Sequence, residues 1–187
     1  MSDLTFSQPE RRNFLIPALV VAVIVAVAVA LIYFFLPHRV ADLTVTHVAD
    51  LPTHTVFATG SKVVGAQDES QDDFYVLATV RIDDRLKVPL FINDITGTLT
   101  TQDGTDLTTS AVEKGDIPAV YMAFPALKPL AGPPLLRESE ILPGDSAEGM
   151  VLLHYSATEA AWKQRKAASV TIDFYHQGPL TVAIPQP

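Results

Sequence analysis

The feature that most constrains this chain is an uncharged segment of 23 residues, Phe14 to Leu36. At ~1.5 Å of rise per residue, a helix of this length crosses a ~30 Å hydrocarbon layer with some tilt. A cleavable secretory signal has a shorter apolar region, and its small-x-small cleavage site opens into polar chain. Here the one such site, Ala28-Val29-Ala30, is followed by further apolar residues up to Leu36. We therefore predict a transmembrane helix over residues 14–36 that stays in the mature protein.

The charges that flank this helix predict its orientation. Arg11 and Arg12 precede it, whereas only Arg39 follows it before a long acidic chain. The positive-inside rule then places residues 1–13 in the cytoplasm and the C-terminal domain outside it, in the periplasm or beyond. Arg-Arg-Asn-Phe-Leu also resembles a twin-arginine export signal, but Glu10 stands where that pattern has Ser or Thr. We predict a location in the inner membrane. With the aromatic residues at the outer end, the predicted membrane-interface residues are Arg11, Arg12, Tyr33, Phe34 and Phe35.

Alanine recurs at every fourth position of the predicted helix and makes a ridge of small residues among Val and Ile. Small-xxx-small faces let two transmembrane helices approach closely, and close packing drives their association. Ala and Val are also common residues of spanning helices, so the ridge fits a lipid-exposed helix equally well. The candidate helix-packing residues are Ala18, Ala22, Ala26 and Ala30.

The composition of the rest of the chain excludes several classes of function. Residues 40–187 carry 10 Lys plus Arg and 19 Asp plus Glu, a net charge of 10 − 19 = −9. This balance argues against binding to nucleic acid, and against binding to anionic lipid through charge. The chain has no cysteine, which excludes disulfides, thiolate catalysis, iron–sulfur ligation and covalent haem attachment. We predict no cofactor.

Beyond a short linker at residues 37–42, apolar and polar residues alternate in a way that is typical of β-strands. The runs LTVTHV and TVFATGSKVV predict the opening strands of a domain over residues 43–187. The clearest strand is DFYVLATVRI, which we expect to be buried mainly on one side because its apolar residues share a face. That face carries Phe74, Val76, Ala78, Val80 and Ile82.

Turn signals separate the predicted strands. A hairpin turn at Asp103-Gly104 follows LFINDITGTLT, and a turn at Pro143-Gly144-Asp145 precedes AEGMVLLHY. SATEAAWKQRKAA predicts one inserted helix, with Thr158 as its N-cap and Trp162 as a core anchor. The closing hairpin is predicted to turn at Gln177-Gly178-Pro179. Roughly seven to nine short strands of this kind predict a mainly β domain built as a two-sheet sandwich.

A tract from Val112 to Leu136 interrupts this rhythm with five prolines among apolar residues. One interpretation is a crossover connection with a helical turn that forms a lid on the sandwich, because long loops in compact domains usually pack on their own side chains. The other is a docking surface for another subunit or for the membrane, since exposed apolar patches mark interaction sites. The candidate docking residues are Ile117, Val120, Tyr121, Met122, Phe124 and Leu127.

Two segments resemble known extracytoplasmic β-domains. ATVRIDDRLKVPLFINDITGTLTTQDGTDL, residues 78–107, resembles the water-stress domain of type 2 late-embryogenesis-abundant proteins, with Asp83-Asp84 where that pattern has Asn-Pro. ILPGDSAEGMVLLHY, residues 141–155, is similar to a turn and late strand of bacterial immunoglobulin-like domains. The resemblance implies an immunoglobulin-like or fibronectin-like sandwich tethered by one N-terminal transmembrane α-helix, with no catalytic residues to carry over.

Candidate catalytic and metal-binding patterns are weak. His47, His54, His154 and His176 lack the short spacing of histidine metal ligands, and the paired aspartates lack the spacing of a calcium loop. No serine has the framing of a nucleophile elbow, and no glycine-rich phosphate loop occurs. We therefore predict a non-catalytic accessory or scaffolding subunit of a larger membrane complex, such as an energy-transducing one, whose partners are the bilayer and other integral membrane subunits. The alternative is a stand-alone ligand-binding or stress-protection module.

Overall fold

The computed structural model describes residues 15–35, 39–57 and 69–186, which fall into two compact units that divide after His38. The first unit contains helix α1, Leu15–Phe35. Its segment Leu15–Tyr33 is apolar throughout and carries no charged residue. By length and composition α1 can cross a membrane once, and it lies within the predicted span of residues 14–36.

The second unit begins with its first strand at Ala41, two residues before the predicted start of the domain at residue 43. Its elements in chain order are β1 Ala41–Phe57, β2 Glu69–Asp84, β3 Leu90–Thr100, β4 Asp106–Ser110, α2 Ile117–Ala123, a 3₁₀ helix Pro125–Leu130, β5 Glu140–Ile141, β6 Ser146–Tyr155, α3 Glu159–Lys163, β7 Ala167–Phe174 and β8 Leu180–Ala183. The first sheet has the order β1-β2-β6, and the second has the order β4-β3-β7-β8, with β5 paired to the start of β3. The prediction of a mainly β domain with two antiparallel sheets is confirmed.

One apolar core lies between the two sheets. The predicted inner face of β2, from Phe74 to Ile82, is fully buried, which confirms the alternation read from the sequence. Its side chains contact inward residues of the second sheet, among them Leu99 of β3 and Val170 of β7. Trp162 of α3 is 3% exposed and its ring lies 5.2 Å from that of Phe74, so its role as a core anchor is confirmed. Burial of each such side chain stabilises the fold by about 1.5–3 kcal/mol.

The outer face of β2 differs from the prediction that this strand is buried mainly on one side. Tyr75 and Leu77 are only 7% and 1% exposed. Further along the same face, Thr79 is half-buried and Arg81 is exposed, as an outward face should be. The prediction is wrong for the first half of β2, because a distant segment of the chain covers this part of the sheet.

Two other local predictions are corrected. Helix α3 ends at Lys163 instead of continuing through the predicted segment, because the backbone N–H of Lys166 already donates to Thr100 O (2.9 Å) and the chain continues as β7. The closing hairpin turns earlier than predicted, with a positive φ of 62° at His176 and a bond from Gln177 N to Phe174 O (3.1 Å). The two runs predicted as opening strands, LTVTHV and the start of TVFATGSKVV, form one strand, β1, with a bulge between Val45 and His47. Residues 58–64 of TVFATGSKVV lie outside the described residues.

The remaining turn and cap predictions are confirmed. Gly104 has a φ of 94° in the β3–β4 hairpin, which requires a residue that tolerates the left-handed region. Thr158 caps α3, since its side-chain oxygen accepts a hydrogen bond from Ala161 N (3.2 Å). A Ser, Thr, Asp or Asn at this position typically stabilises a helix by about 1 kcal/mol.

Candidate functional site

The alanine ridge forms one exposed face of α1. Ala18, Ala22, Ala26 and Ala30 are all exposed within the first unit. A shallow groove runs along this face between larger side chains, and its lining residues are Pro17, Ala18, Val21, Ala22, Val25 and Ala26. A second helix can approach such a groove closely because methyl groups leave room for its backbone. The groove spans positions 17–26, and Ala30 is not among its lining residues.

The predicted membrane-interface residues are only partly described. Arg11 and Arg12 lie outside the described residues, and so do the side chains of Phe34 and Phe35. Tyr33 lies near the C-terminal end of α1 with 65% of its surface exposed. Its position fits one boundary of a spanning helix, where an amphipathic ring favours the headgroup region.

The proline-rich tract covers the outer face of the first sheet. Its two short helices place Leu127 against that face, where it is 0% exposed and belongs to a second apolar cluster with Leu77, Met150 and Leu152. The ring of Phe124 lies 5.0 Å from that of Tyr75. The tract thus has the form of the predicted lid, and it explains why β2 is buried on both sides.

Burial changes the set of candidate docking residues. Leu127 is wholly covered, so its assignment as a docking residue is corrected. Val120, Tyr121 and Phe124 are half-buried and pack on the second cluster, and Ile117 is half-buried as well. Met122 is the candidate that projects outward, with 75% of its surface exposed. A partner that docks on the tract would meet Met122 first.

Backbone hydrogen bonds attach both ends of the lid to β6. Val112 N donates to Leu152 O (2.9 Å) before the helices, and Leu135 N donates to Met150 O (2.9 Å) after them. Met150 N donates in turn to Pro133 O (2.7 Å), which makes a parallel bridge around Pro134. The lid is therefore continuous with the sheet, because β6 supplies partners to its first and last residues.

Two histidine–carboxylate pairs lie near the end of the first sheet where β2 begins. His154 Nε2 lies 2.8 Å from Asp73 Oδ1, and the His154 ring stacks on Tyr75 with centroids 4.9 Å apart. His54 Nδ1 lies 2.6 Å from Asp72 Oδ1. Burial, and after it the Asp73 carboxylate, raises the pKa of the Tyr75 hydroxyl, which keeps its proton at neutral pH. No group of three or more metal-ligating side chains occurs within the described ranges.

Sequence reasoning considered these histidines but missed both pairs. The pairs depend on strand register, which sets Tyr75 opposite His154 and Asp72 opposite His54. Register follows from the buried face of each strand and from the turns between them, so it cannot be read from the spacing of His and Asp along the chain.

A small cavity lies beside the bulge of β1. Its volume is about 220 Å³, and its lining residues are Val45, Thr46, His47, Val48, Asp50, Trp162, Arg165, Pro185 and Gln186. It is enclosed by β1, by the end of α3 and by the C-terminal segment. Bulges are frequent next to binding sites because they redirect side chains.

Arg165 is the unusual residue of this cavity, because it is a cation with only 3% of its surface exposed. Its guanidinium carbon lies 3.8 Å from the centre of the Trp162 ring, and its Nη atoms donate to Trp162 O and Pro185 O, both at 2.9 Å. Its Nε finds no hydrogen-bond partner among the described residues. Burial lowers the pKa of Arg165, and the charge of Asp50 opposes this shift. No pattern in the sequence predicts this buried cation, which depends on how the C-terminal segment crosses α3.

Comparisons with known proteins do not assign the chain to a family. No protein-family model and no curated protein sequence matches it. It is similar to the yjhA protein of Bacillus subtilis, with 13% identity, coverage of 73% of this chain and 77% of that one, and a TM-score of 0.38. It is also similar to a functionally unknown protein of Listeria monocytogenes EGD-e, with 12% identity, 78% and 88% coverage, and a TM-score of 0.37. TM-scores of this size do not establish a shared fold.

Proposed function

We propose that this chain is a single-pass inner-membrane protein that acts as a non-catalytic accessory or scaffolding subunit of a membrane complex. In this proposal the N-terminus is cytoplasmic, and the β-domain stands outside the cytoplasm as an immunoglobulin-like sandwich. The single observation that carries it is α1, an apolar helix long enough to span a bilayer, with small residues exposed at every fourth position of one face.

The groove supports a role in assembly more than a role as a plain anchor. Lipid tails are as apolar as Val and Ile, so burying apolar surface does not by itself bring two helices together in a membrane. Close van der Waals contact does, and it requires small residues that recur on one face. Positions 18, 22, 26 and 30 supply them over nearly the whole length of α1. The partner of this face is another spanning helix.

The test is a matched pair of alanine substitutions in the full chain. Ala22→Ile together with Ala26→Ile fills the groove, whereas Ala28→Ile adds the same side chain on the other side of α1. At 100° per residue, Ala28 lies about 140° or more from the centre of the ridge. After mild-detergent extraction and chemical cross-linking, we expect the double variant to lose partners that the wild type and Ala28→Ile retain. Equal recovery of the same partners by all three chains would refute helix packing through the ridge.

A second candidate function is a small-ligand-binding module, which the cavity beside Arg165 favours. A buried guanidinium on an aromatic floor recognises a carboxylate that also carries an apolar body. Trp162 is the only tryptophan of the chain and lines this cavity, so its fluorescence reports on occupancy. We expect saturable quenching or a spectral shift with hexanoate and none with hexanol. An identical response to both probes, or to neither, would remove this candidate.

A further inference from the structure

One end of the β-domain collects the loops that surround the point where the linker joins it. The backbone N–H of Arg85 donates to Val40 O (3.1 Å), and β1 begins opposite the last residue of β2, with Ala41 paired to Asp84. The buried carboxylate of Asp84 accepts hydrogen bonds from Leu86 N (2.8 Å) and Gly144 N (3.0 Å). Loops 85–89 and 142–145 are therefore fixed beside Val40. We call this region the linker end.

Exposed apolar side chains concentrate at the linker end. Among residues 39–55 and 71–186, whose side chains the structure describes, the exposed large apolar side chains are Val88, Phe91, Met122, Leu130, Leu142 and Tyr175. Two of them, Met122 and Leu130, belong to the lid. The other four lie at the linker end. Val88 and Leu142 are in its loops, Phe91 is the second residue of β3, and Tyr175 N donates to Phe91 O (3.0 Å).

The linker end carries exposed charges of both signs. Arg39, Arg85 and Lys87 are exposed there, Asp42 pairs with both arginines at 3.6 and 2.7 Å, and Glu140 and Asp145 are exposed as well. The carboxylate of Asp84 is buried and bonded to backbone N–H groups. The linker end thus presents lysine and arginine side chains beside apolar ones, with a mixed charge instead of the strong net negative charge of residues 40–187. This combination suits the headgroup region of a membrane, where Lys and Arg meet phosphates and apolar side chains reach the acyl boundary.

We infer that the linker end is a lipid-contact surface, in which Val88 and Leu142 enter the headgroup–acyl boundary of the bilayer. The inference rests on the membrane anchorage proposed above. The length of the linker supports lipid as the occupant: Ala41 follows Phe35 by six residues, which reach about 20 Å at most when fully extended. A bilayer surface is therefore the nearest extended apolar partner for this end. Zwitterionic lipid is sufficient, because apolar contact carries the interaction.

The absence of cysteine from the chain permits a direct test. Single cysteines replace Val88 or Leu142 in the full chain and receive an environment-sensitive fluorophore. The first matched control is Gln102→Cys, in the turn after β3, which lies ~33 Å along this strand from the linker end. The second is Met122→Cys, which replaces an exposed apolar residue on the lid. The labelled chains are reconstituted in phosphatidylcholine vesicles with or without phosphatidylcholine that carries a spin-label quencher.

We expect blue-shifted emission and at least threefold stronger quenching at positions 88 and 142 than at positions 102 and 122. Addition of anionic lipid should change the difference little. If the chain floats with the vesicles but all four positions report water, the lipid-contact surface is refuted and the anchorage stands. If positions 88 and 142 shift only when other membrane proteins are present, the occupant is protein and the inference is again refuted. If the chain does not float, the anchorage fails and the inference fails with it.

Discussion

Leu127 offers the sharpest test of whether the proline-rich tract is part of the fold or a surface for a partner. Leu127→Ala removes three buried carbons, and at ~0.8 kcal/mol for each the transfer term is about 2.4 kcal/mol. The cavity that remains adds to this, and buried Leu→Ala changes cost about 2–5 kcal/mol in general. Because the lid borders solvent and can collapse partly, we expect a loss in the lower half of that range, about 3 kcal/mol in the free energy of unfolding.

The assay is urea unfolding of the full chain in mild detergent, followed by the fluorescence of Trp162, which lies in the main core and not under the lid. Met122→Ala is the matched control, since Met122 is in the same tract but is 75% exposed, and its loss should stay within about 0.5 kcal/mol. Equal, small losses for both variants would show that the tract does not stabilise the sheet. The lid described here would then be refuted, and docking would become the better account of its apolar residues.

Three further substitutions test close contacts of the domain. Gly149→Ala should destabilise the domain and raise its protease sensitivity near Leu135, because the added Cβ would lie 2.7 Å from Leu135 N. An unchanged cleavage pattern would contradict this contact. Tyr155→Phe should raise the free energy of unfolding in urea by about 1 kcal/mol, since the buried hydroxyl has no hydrogen-bond partner among the described residues. A loss of stability would show that the hydroxyl does have a partner. Hydrogen bonds from Thr101 and then Thr105 lower the pKa of Asp103 to about 2, so its stabilising effect is present above pH 3.8 and is lost as the pH falls towards 2. The unfolding free energies of the wild type and Asp103→Asn should therefore converge over that range, and a constant difference would refute this coupling.

The sequence predicts the inner face of β2 well because the period of two is enforced along the whole strand by one buried face. It fails for Tyr75 and Leu77, because their burial depends on Leu127 and Phe124, about 50 residues later in the chain. The apolar character of the tract did indicate that it packs on something, but pattern alone does not identify the surface that it covers. Arg165 was missed for a related reason, since its backbone partner Pro185 lies in the last segment of the chain.

The lid and the linker end together explain why the domain keeps exposed apolar surface only in certain places. An outward sheet face with Tyr75, Leu77, Met150 and Leu152 would be a large apolar patch if it were open, and patches of that kind cause association in soluble domains. The proline-rich tract covers that face. No segment within the described residues does the same for Val88 and Leu142, although loops of that length tolerate polar residues at little cost. The lipid contact that we propose for the linker end would account for these two exposed apolar side chains. Fluorescent labels at both positions test that contact directly, whereas the stability of the domain does not.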